Sequence, residues 1–308
     1  MSNTLAAPTY SSGKQSVAPT GTAATDAARG AALQFLQNLA TEMSSGTVDL
    51  PCFPDIVIRI RNALADPTTT AEKTVTIVGA EPRLAARLLQ TANSAAFNHA
   101  GRPVTDLRTA ITRLGHQLVQ SAAMAFAVKH MKDEHSLRSI AKPLGELWAQ
   151  SVAVASICHV VARRTKVSPD EAFLTGLLHG IGRLYIMVRA VGKSDSFGDE
   201  KSFMEVVSGW HASIGKAVLE NWGFAEDMSA AVGDQGEHVR TRRFKADLSD
   251  VLIASIELGE ALKMPAPHVV KMDGCDAFST IGLSAQDCVT ILSDAERQLE
   301  SVKDALGC

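Results

Sequence analysis

His179 is the residue whose surroundings most favour chemistry, because it lies inside an apolar run between Ser168 and Tyr185. Ser168 can cap a helix, Pro169 suits the first turn, and two acidic residues follow at the positive end of the helix dipole. Apolar residues then recur at helical spacing, namely Leu174, Leu177, Leu178, Ile181, Leu184 and Tyr185. This spacing predicts a helix with one wide buried face. A buried imidazole needs a polar partner, so the core could carry chemistry here.

The rest of the sequence predicts further helices and no sheet, because its apolar residues do not alternate with period two. Hydrophobic residues make up 46% of the chain but aromatic residues only 5%, a balance that favours helices over strands. The expected elements are a helix over 26–43, a helix over 55–65, one capped by Thr70, one starting at Glu81-Pro82 and ending at Asn93-Ser94, one capped by Thr105 and ended by Gly115, helices over 117–128 and 142–164, and a C-terminal helix opened by a capping box at Ser284 and Asp287.

The composition excludes several classes of protein. A net charge of −3 gives no indication of a general polyanion binder. The five cysteines are scattered and form no C-x-x-C motif, which is typical of reduced thiols. No apolar run reaches the roughly 18 residues that a membrane span needs. The N-terminus lacks the pattern of a secretory signal, so we expect a cytoplasmic protein without membrane insertion.

The central run A-F-L-T-G-L-L-H-G-I-G-R-L, residues 172–184, resembles the centre of HD-type metal phosphohydrolases. It resembles more closely the HD-related output domain (HDOD) family of bacterial signalling proteins. Further matches follow in the family's order: Leu50-Pro51 with Pro54, Glu81-Pro82 with Leu84-Ala85 and Leu88-Leu89, Ala92-Asn93-Ser94, Pro103-Val104 with Leu107, Ala110-Ile111 with Leu114-Gly115, and Trp210-His211 with Ile214-Gly215. The resemblance extends over about residues 46–265.

The resemblance implies an all-α fold with two helical lobes. The predicted organisation is a disordered N-terminal tail (1–25), a leading helix (26–45), an HDOD domain (46–265) and a C-terminal helical extension (266–308). Within the domain, the N-terminal helical lobe covers about 46–135 and the degenerate HD-like lobe about 136–265.

The resemblance also places the metal site of HD-type enzymes at seven positions, which read Gln150, His179, Gly180, His211, Asp234, Gln235 and Ser255. HD-type enzymes have Asp after the central His, whereas Gly180 has no side chain with which to bind a metal. Only His179, His211 and Asp234 could be ligands, and a catalytic site needs about three ligands plus an open position. We therefore expect no metal, no cofactor and no catalytic residue. His179 is expected to be neutral in the core and hydrogen-bonded to Gln150 or His211.

The implied function is that of a non-catalytic output or adaptor module that binds other signalling proteins and no nucleic acid. The candidate partner-binding residues are Asn93, Ser94 and Arg102, because polar and turn residues cluster there among apolar helices. The oligomeric state is left open. Two groups of basic residues are interpreted as solvent-facing: Arg83, Arg87, Arg108 and Arg113 on helix faces, and Arg240, Arg242, Arg243 and Lys245 in a loop. The alternatives are an anion-binding rim for the first group and a contact with phosphate or an acidic partner for the second.

Two other functions stay open at this point. One is a metal-dependent phosphohydrolase or phosphodiesterase acting on nucleotides, which would need activity with added Mn²⁺ or Fe²⁺. The other is a helix-turn-helix nucleic-acid binder around Leu107 to Val128. Its second helix has no Lys or Arg before Lys129, which argues against a recognition helix.

Overall fold

A computed structural model describes residues 30–31, 34–35, 37–39, 41–42, 54–66, 68–94, 98, 102–192, 200–240, 245–263 and 272–306. Every regular element in these ranges is helical, as the sequence predicts, and none is a strand. The α-helices are α1 (Asp55–Ala65), α2 (Ala71–Gly79), α3 (Pro82–Asn93), α4 (Leu107–Asp133), α5 (Ala141–Ala162), α6 (Pro169–Leu178), α7 (Ile181–Ala190), α8 (Glu200–Asn221), α9 (Glu226–Gly233), α10 (Leu248–Leu262), α11 (Asp276–Ile281) and α12 (Ala285–Leu306), with a 3-10 helix (His135–Ile140) between α4 and α5.

Local capping fixes several helix ends where the sequence predicts them. The Thr70 side chain accepts a hydrogen bond from the Lys73 backbone N–H and so starts α2. Pro82 occupies the first turn of α3. Before α12, Ser284 and Asp287 form the reciprocal bonds of a capping box, at 3.0 and 3.2 Å. These ends are set by neighbouring residues, which explains why they can be predicted.

Two predicted helix ends need correction. The cap of α4 is Asp106 and not Thr105, because the Asp106 carboxylate accepts from the Thr109 backbone N–H at 2.8 Å. Gly115, at φ 73°, does interrupt helical geometry as predicted, but α4 resumes directly after it, as one element with a kink. Between residues 30 and 42 the described positions of the leading helix are helical, and Phe35 and Leu39 are buried. The predicted tail, residues 1–25, lies outside the described residues.

The central stretch forms two helices, although the apolar spacing predicts one. Helix α6 ends at Leu178, His179 and Gly180 form the junction, and α7 begins at Ile181. Gly180 has φ −84° and ψ 2°, which is not helical geometry. The spacing does not reveal the break, because apolar residues continue at a compatible interval on both sides of it.

Beside a small buried cluster around Val152 and Phe173, one large buried core runs through the described residues, from Phe35 to Ala295. Its continuity marks no packing boundary near residue 135, and the two-lobed arrangement stays a prediction. The stretch His135–Ala162 is long and apolar enough to cross a membrane by length and composition, but 56% of its most apolar window is buried against other helices. Burial of this kind is typical of the core helix of a helical bundle.

Two glycines allow the central helices to approach their neighbours closely. A Cβ on Gly176 would lie 2.7 Å from the Cα of Ala155 in α5. A Cβ on Gly182 would lie 1.9 Å from the carbonyl oxygen of His211 in α8. The second approach places His211 directly beside the helix that follows His179.

Candidate functional site

His179 is buried at the junction of α6 and α7, with 3% of its surface exposed. Its Nδ1 lies 2.6 Å from the carbonyl oxygen of Gly176, so Nδ1 carries the proton and donates it. The predicted partners, Gln150 and His211, do not form this bond, because the preceding helical turn already supplies an acceptor. Burial lowers the pKa of His179 to about 4, which keeps the ring neutral near pH 7.

His211 and Arg183 contact each other next to His179, and these three residues form the centre of the site. The Nε2 of His211 lies 3.1 Å from a guanidinium nitrogen of Arg183. Because a guanidinium can only donate, Nε2 is the acceptor and Nδ1 carries the proton. That Nδ1 is buried and has no hydrogen-bond partner among the described residues. Burial, and then the positive charge of Arg183, lowers the pKa of His211 to about 4.

Gly180 packs closely against α5, so a side chain at this position would have to displace side chains of α5. A Cβ at this position would lie 2.9 Å from Leu147 Cδ1 and 3.2 Å from Ser151 Oγ. Leu147 and Ser151 also line a mostly apolar cavity of about 20 Å³ together with Gly180. The side chains of α5 therefore occupy the space into which an Asp at position 180 would extend.

Three other predicted site residues, Gln150, Gln235 and Ser255, have different hydrogen-bond partners and do not form one cluster. Gln150 donates to the Glu260 carboxylate at 3.1 Å and so lies at the rim formed by α5 and α10. Gln235 donates to the His179 carbonyl oxygen at 3.2 Å and to the Val232 carbonyl oxygen at 2.7 Å. Ser255 is fully buried and donates within its own helix to Val251. Of these three, Gln235 alone makes a hydrogen bond to His179.

Asp234 belongs to a separate ionic cluster around Arg240. The Arg240 side chain is 8% exposed and donates to Asp247 at 2.9 Å, Asp250 at 2.8 Å and Asp234 at 3.3 Å. The prediction that Arg240 lies in a solvated loop is therefore wrong, because three carboxylates surround its guanidinium. Arg242 and Arg243 lie outside the described residues, and Lys245 is exposed.

A divalent metal does not fit the residues at this centre. The lone pair of His211 Nε2 faces a guanidinium, Gly180 has no ligand, and Asp234 is bound to Arg240. Among the described residues, no group of three or more His, Cys, Asp or Glu side chains could hold a metal ion. The metal chemistry of HD-type enzymes therefore has no ligand set in this part of the chain.

The sequence interpretation missed the charged residues of the centre, namely Arg183, Glu260 and Lys263. Arg183 follows His179 by four residues, a helical spacing that could have drawn attention to it. Glu260 and Lys263 lie at the end of α10, outside the family motifs, and no local signal connects them with Arg183. Their proximity follows only from the tertiary structure.

The candidate partner-binding residues have distinct positions around the loop between α3 and α4. The Asn93 amide binds both backbone groups of Val104, at 2.7 and 2.8 Å, and so connects the end of α3 to the segment that precedes α4. The Ser94 hydroxyl donates to the Thr91 carbonyl oxygen. Arg102 is exposed, and its carbonyl oxygen accepts from Arg113 at 3.2 Å.

The arginines near this loop have mixed roles. Arg113 does not simply face solvent, because its guanidinium also donates a hydrogen bond to the Asn98 side-chain oxygen at 2.8 Å. Arg108 lies on an exposed helix face, as interpreted, and pairs with Glu72. Arg83 and Arg87 line a cavity of about 100 Å³ with Lys129.

Comparisons with known proteins agree with the helical fold. The sequence profile of the HDOD domain matches residues 50–237. A candidate metal-dependent phosphohydrolase from Shewanella amazonensis SB2B is similar, with a TM-score of 0.69 and 22% identity over 90% of this chain and 99% of its own. A candidate signal transduction protein from Marinobacter aquaeolei VT8 has a TM-score of 0.59 and 20% identity, over 91% of this chain and 66% of its own. An HDOD domain protein of unknown function from Geobacter sulfurreducens has a TM-score of 0.56 and 22% identity, over 89% of this chain and 99% of its own.

The search of curated proteins finds no match. At these identities the solved structures show a shared fold and no shared activity. The profile match covers more than half of the chain and contains the His179–Arg183 centre. This protein belongs to the HDOD domain family.

Proposed function

We propose that this protein is a non-catalytic output or adaptor module of bacterial signal transduction that acts in the cytoplasm by binding other proteins. The observation that carries the proposal is the contact of Arg183 with His211 Nε2 at 3.1 Å. The guanidinium takes the lone pair that a catalytic metal would need. A cation fixed by the protein cannot supply the metal-bound hydroxide on which HD-type hydrolysis depends.

Family membership supports the signalling part of the proposal, because the domain is an HD-related output domain. One structural relative is also named as a candidate signal transduction protein. Binding to other proteins is a way for such a module to transmit a signal without hydrolysis.

We place part of the partner-binding surface on the loop around Arg102. Asn93 fixes this loop through Val104, and Arg113 holds it from α4. The exposed Arg102 side chain thus extends from a backbone position that Arg113 holds, which lowers the entropy cost of binding a partner at this residue. Loops held by a rigid scaffold are common sites of binding residues.

Replacing Arg102 with Glu should weaken partner capture and leave stability unchanged, since the side chain is exposed and its backbone contacts stay intact. The measurement is a pull-down from native bacterial lysate with the wild-type and variant proteins, together with thermal unfolding of each. Arg138→Glu is the matched control, because Arg138 is an equally exposed arginine on the 3-10 helix. Equal capture by the wild type and Arg102→Glu would remove Arg102 from the proposed surface. If the wild type captures no protein, the proposed adaptor function loses its support.

A further inference from the structure

Arg183 is a partly buried cation that forms no ion pair with any described residue. Two other partly buried arginines have carboxylate partners, Arg189 with Glu42 and Arg240 with three aspartates, whereas Arg113 is held by neutral oxygens of Asn98, Ala92 and Arg102. Removing a charge from water is costly unless an opposite charge or several hydrogen bonds compensate. The neutral His211 provides one hydrogen bond and no charge. The charge of the Glu260 carboxylate acts on Arg183 from beyond ion-pair distance, so no anion among the described residues is hydrogen-bonded to the guanidinium.

Most N–H groups of the Arg183 guanidinium have no acceptor among the described residues. It carries five N–H groups, and the one acceptor that the described residues give it is His211 Nε2. Burial lowers the pKa of Arg183, but an arginine keeps its charge at any physiological pH. A ligand that offers two acceptor oxygens could bind the remaining N–H groups.

The rim of this centre carries one further pair of charges, which balance each other. The Glu260 carboxylate accepts from Gln150 at 3.1 Å and from the Lys263 ammonium at 2.7 Å. Glu260 is thus engaged by its neighbours and lies beyond ion-pair distance of Arg183. With both histidines neutral, Arg183 and Lys263 contribute two positive charges and Glu260 one negative charge. The centre has a net charge of about +1.

We propose that Arg183 anchors a binding site for a single carboxylate group of a ligand. A planar guanidinium matches a carboxylate with two parallel hydrogen bonds, and one negative charge balances the centre. A phosphate monoester carries about −1.5 to −2 charges near pH 7 and would place its excess charge near Glu260. The site does not depend on the adaptor function, because it concerns a ligand of the centre and not the Arg102 loop.

The test is an NMR titration of the full-length protein with sodium acetate at pH 7 and constant ionic strength. We expect saturable shifts centred on the Arg183 side-chain Nε–H signal. Arg183→Gln should weaken acetate binding by about tenfold or more, because the charge-assisted bonds are lost. Arg183→Lys should be intermediate, since it keeps the charge without the planar fork. Arg138→Gln, at an exposed site, should bind like the wild type.

A second variant keeps the test decisive if the Arg183 variants fold poorly. Glu260→Gln removes the negative charge from the rim and should tighten acetate binding several-fold at low salt. A capped peptide with one Glu, titrated in parallel, identifies the source of the carboxylate. Peptide binding at least as tight as acetate indicates a protein side chain, and acetate binding alone indicates a small acid. The proposal is overturned if acetate gives no saturable shift, if Arg183→Gln binds it equally well, or if inorganic phosphate binds more tightly than acetate.

Discussion

At His179 the chain keeps an imidazole but surrounds it with groups unsuited to metal binding. The ring donates to Gly176, the next residue is a glycine, and Arg183 binds the neighbouring His211. The sequence reveals the glycine and both histidines, and so predicts a neutral core imidazole. It does not reveal the Gly176 acceptor, because that contact forms only where the helix ends.

Two buried histidines of low pKa should make folding stability depend on pH below neutrality. In the unfolded chain a histidine titrates near 6.5, whereas the pKa of both His179 and His211 in the folded protein is lowered to about 4. The unfolded state therefore binds more protons between these values. The contribution to stability is fully present above about pH 6.5 and is lost as the pH falls towards 4.

Urea unfolding at pH 7 and pH 5 measures this effect. From pH 7 to pH 5 we expect a loss of about 1–2 kcal/mol in the free energy of unfolding for each histidine. His179→Gln removes one titrating group and keeps a donor, so its loss over the same interval should be about 1–2 kcal/mol smaller than that of the wild type, while His211 and His159, whose pKa is also lowered by burial, still contribute. An identical pH dependence in the variant would show that His179 titrates normally in the folded protein.

At the scale of elements, the crossing of α7 and α8 determines the geometry of the centre. Gly182 permits this crossing, because any side chain there would meet the His211 carbonyl oxygen. The apolar spacing predicts that Ile181 to Tyr185 are helical, but as part of one longer helix, and it cannot predict why Gly182 is a glycine. The same limit applies to Arg240, whose partners extend from Asp234 to Asp276. Helical spacing and capping motifs describe neighbouring residues, so they do not predict contacts between residues far apart in the sequence, such as those of Gly182 with His211 and of Arg240 with Asp276.

Gly182→Ala should destabilise the protein by about 3 kcal/mol or more, since its Cβ would lie 1.9 Å from a backbone atom. Gly209→Ala is the matched control. Gly209 lies in α8 with no atom within 4 Å of its Cβ position, so alanine there should stabilise by about 0.5–1 kcal/mol. Chemical denaturation of both variants gives the comparison. Similar stability for Gly182→Ala and the wild type would contradict the close crossing.

At the scale of the whole molecule, the fold extends beyond the segment that the family profile matches. The profile ends at residue 237, whereas the core continues through Ile291, Leu292 and Ala295 of α12. Helix α12 lies against α5, and Arg164 pairs with Asp287 at its start. The all-α class and most helices could be predicted from periodicity. The role of the C-terminal helix in the core could not, because its partners lie more than 100 residues earlier.

The two ends of the chain should therefore respond differently to deletion. Removing residues 1–25 should change the melting temperature by no more than a few degrees, because the segment lacks apolar periodicity. Removing 285–308 should lower the melting temperature much further, since it exposes the apolar residues that α12 covers. Thermal unfolding of both truncations tests the contrast. A large loss after the N-terminal deletion would mean that residues 1–25 pack against the core.

We predict that the HD-like centre is structural and does not turn over phosphoesters. The most direct measurement is hydrolysis of cyclic dinucleotides and nucleoside phosphates, with Mn²⁺ or Fe²⁺ added, by protein purified without chelator. We predict no turnover above the protein-free rate for the wild type, and the same for His179→Ala. We expect His179→Ala to lose about 1–3 kcal/mol of stability, so it should be assayed at a temperature where it remains folded. Metal-dependent turnover by the wild type that His179→Ala abolishes would contradict the account and establish this centre as a hydrolase site.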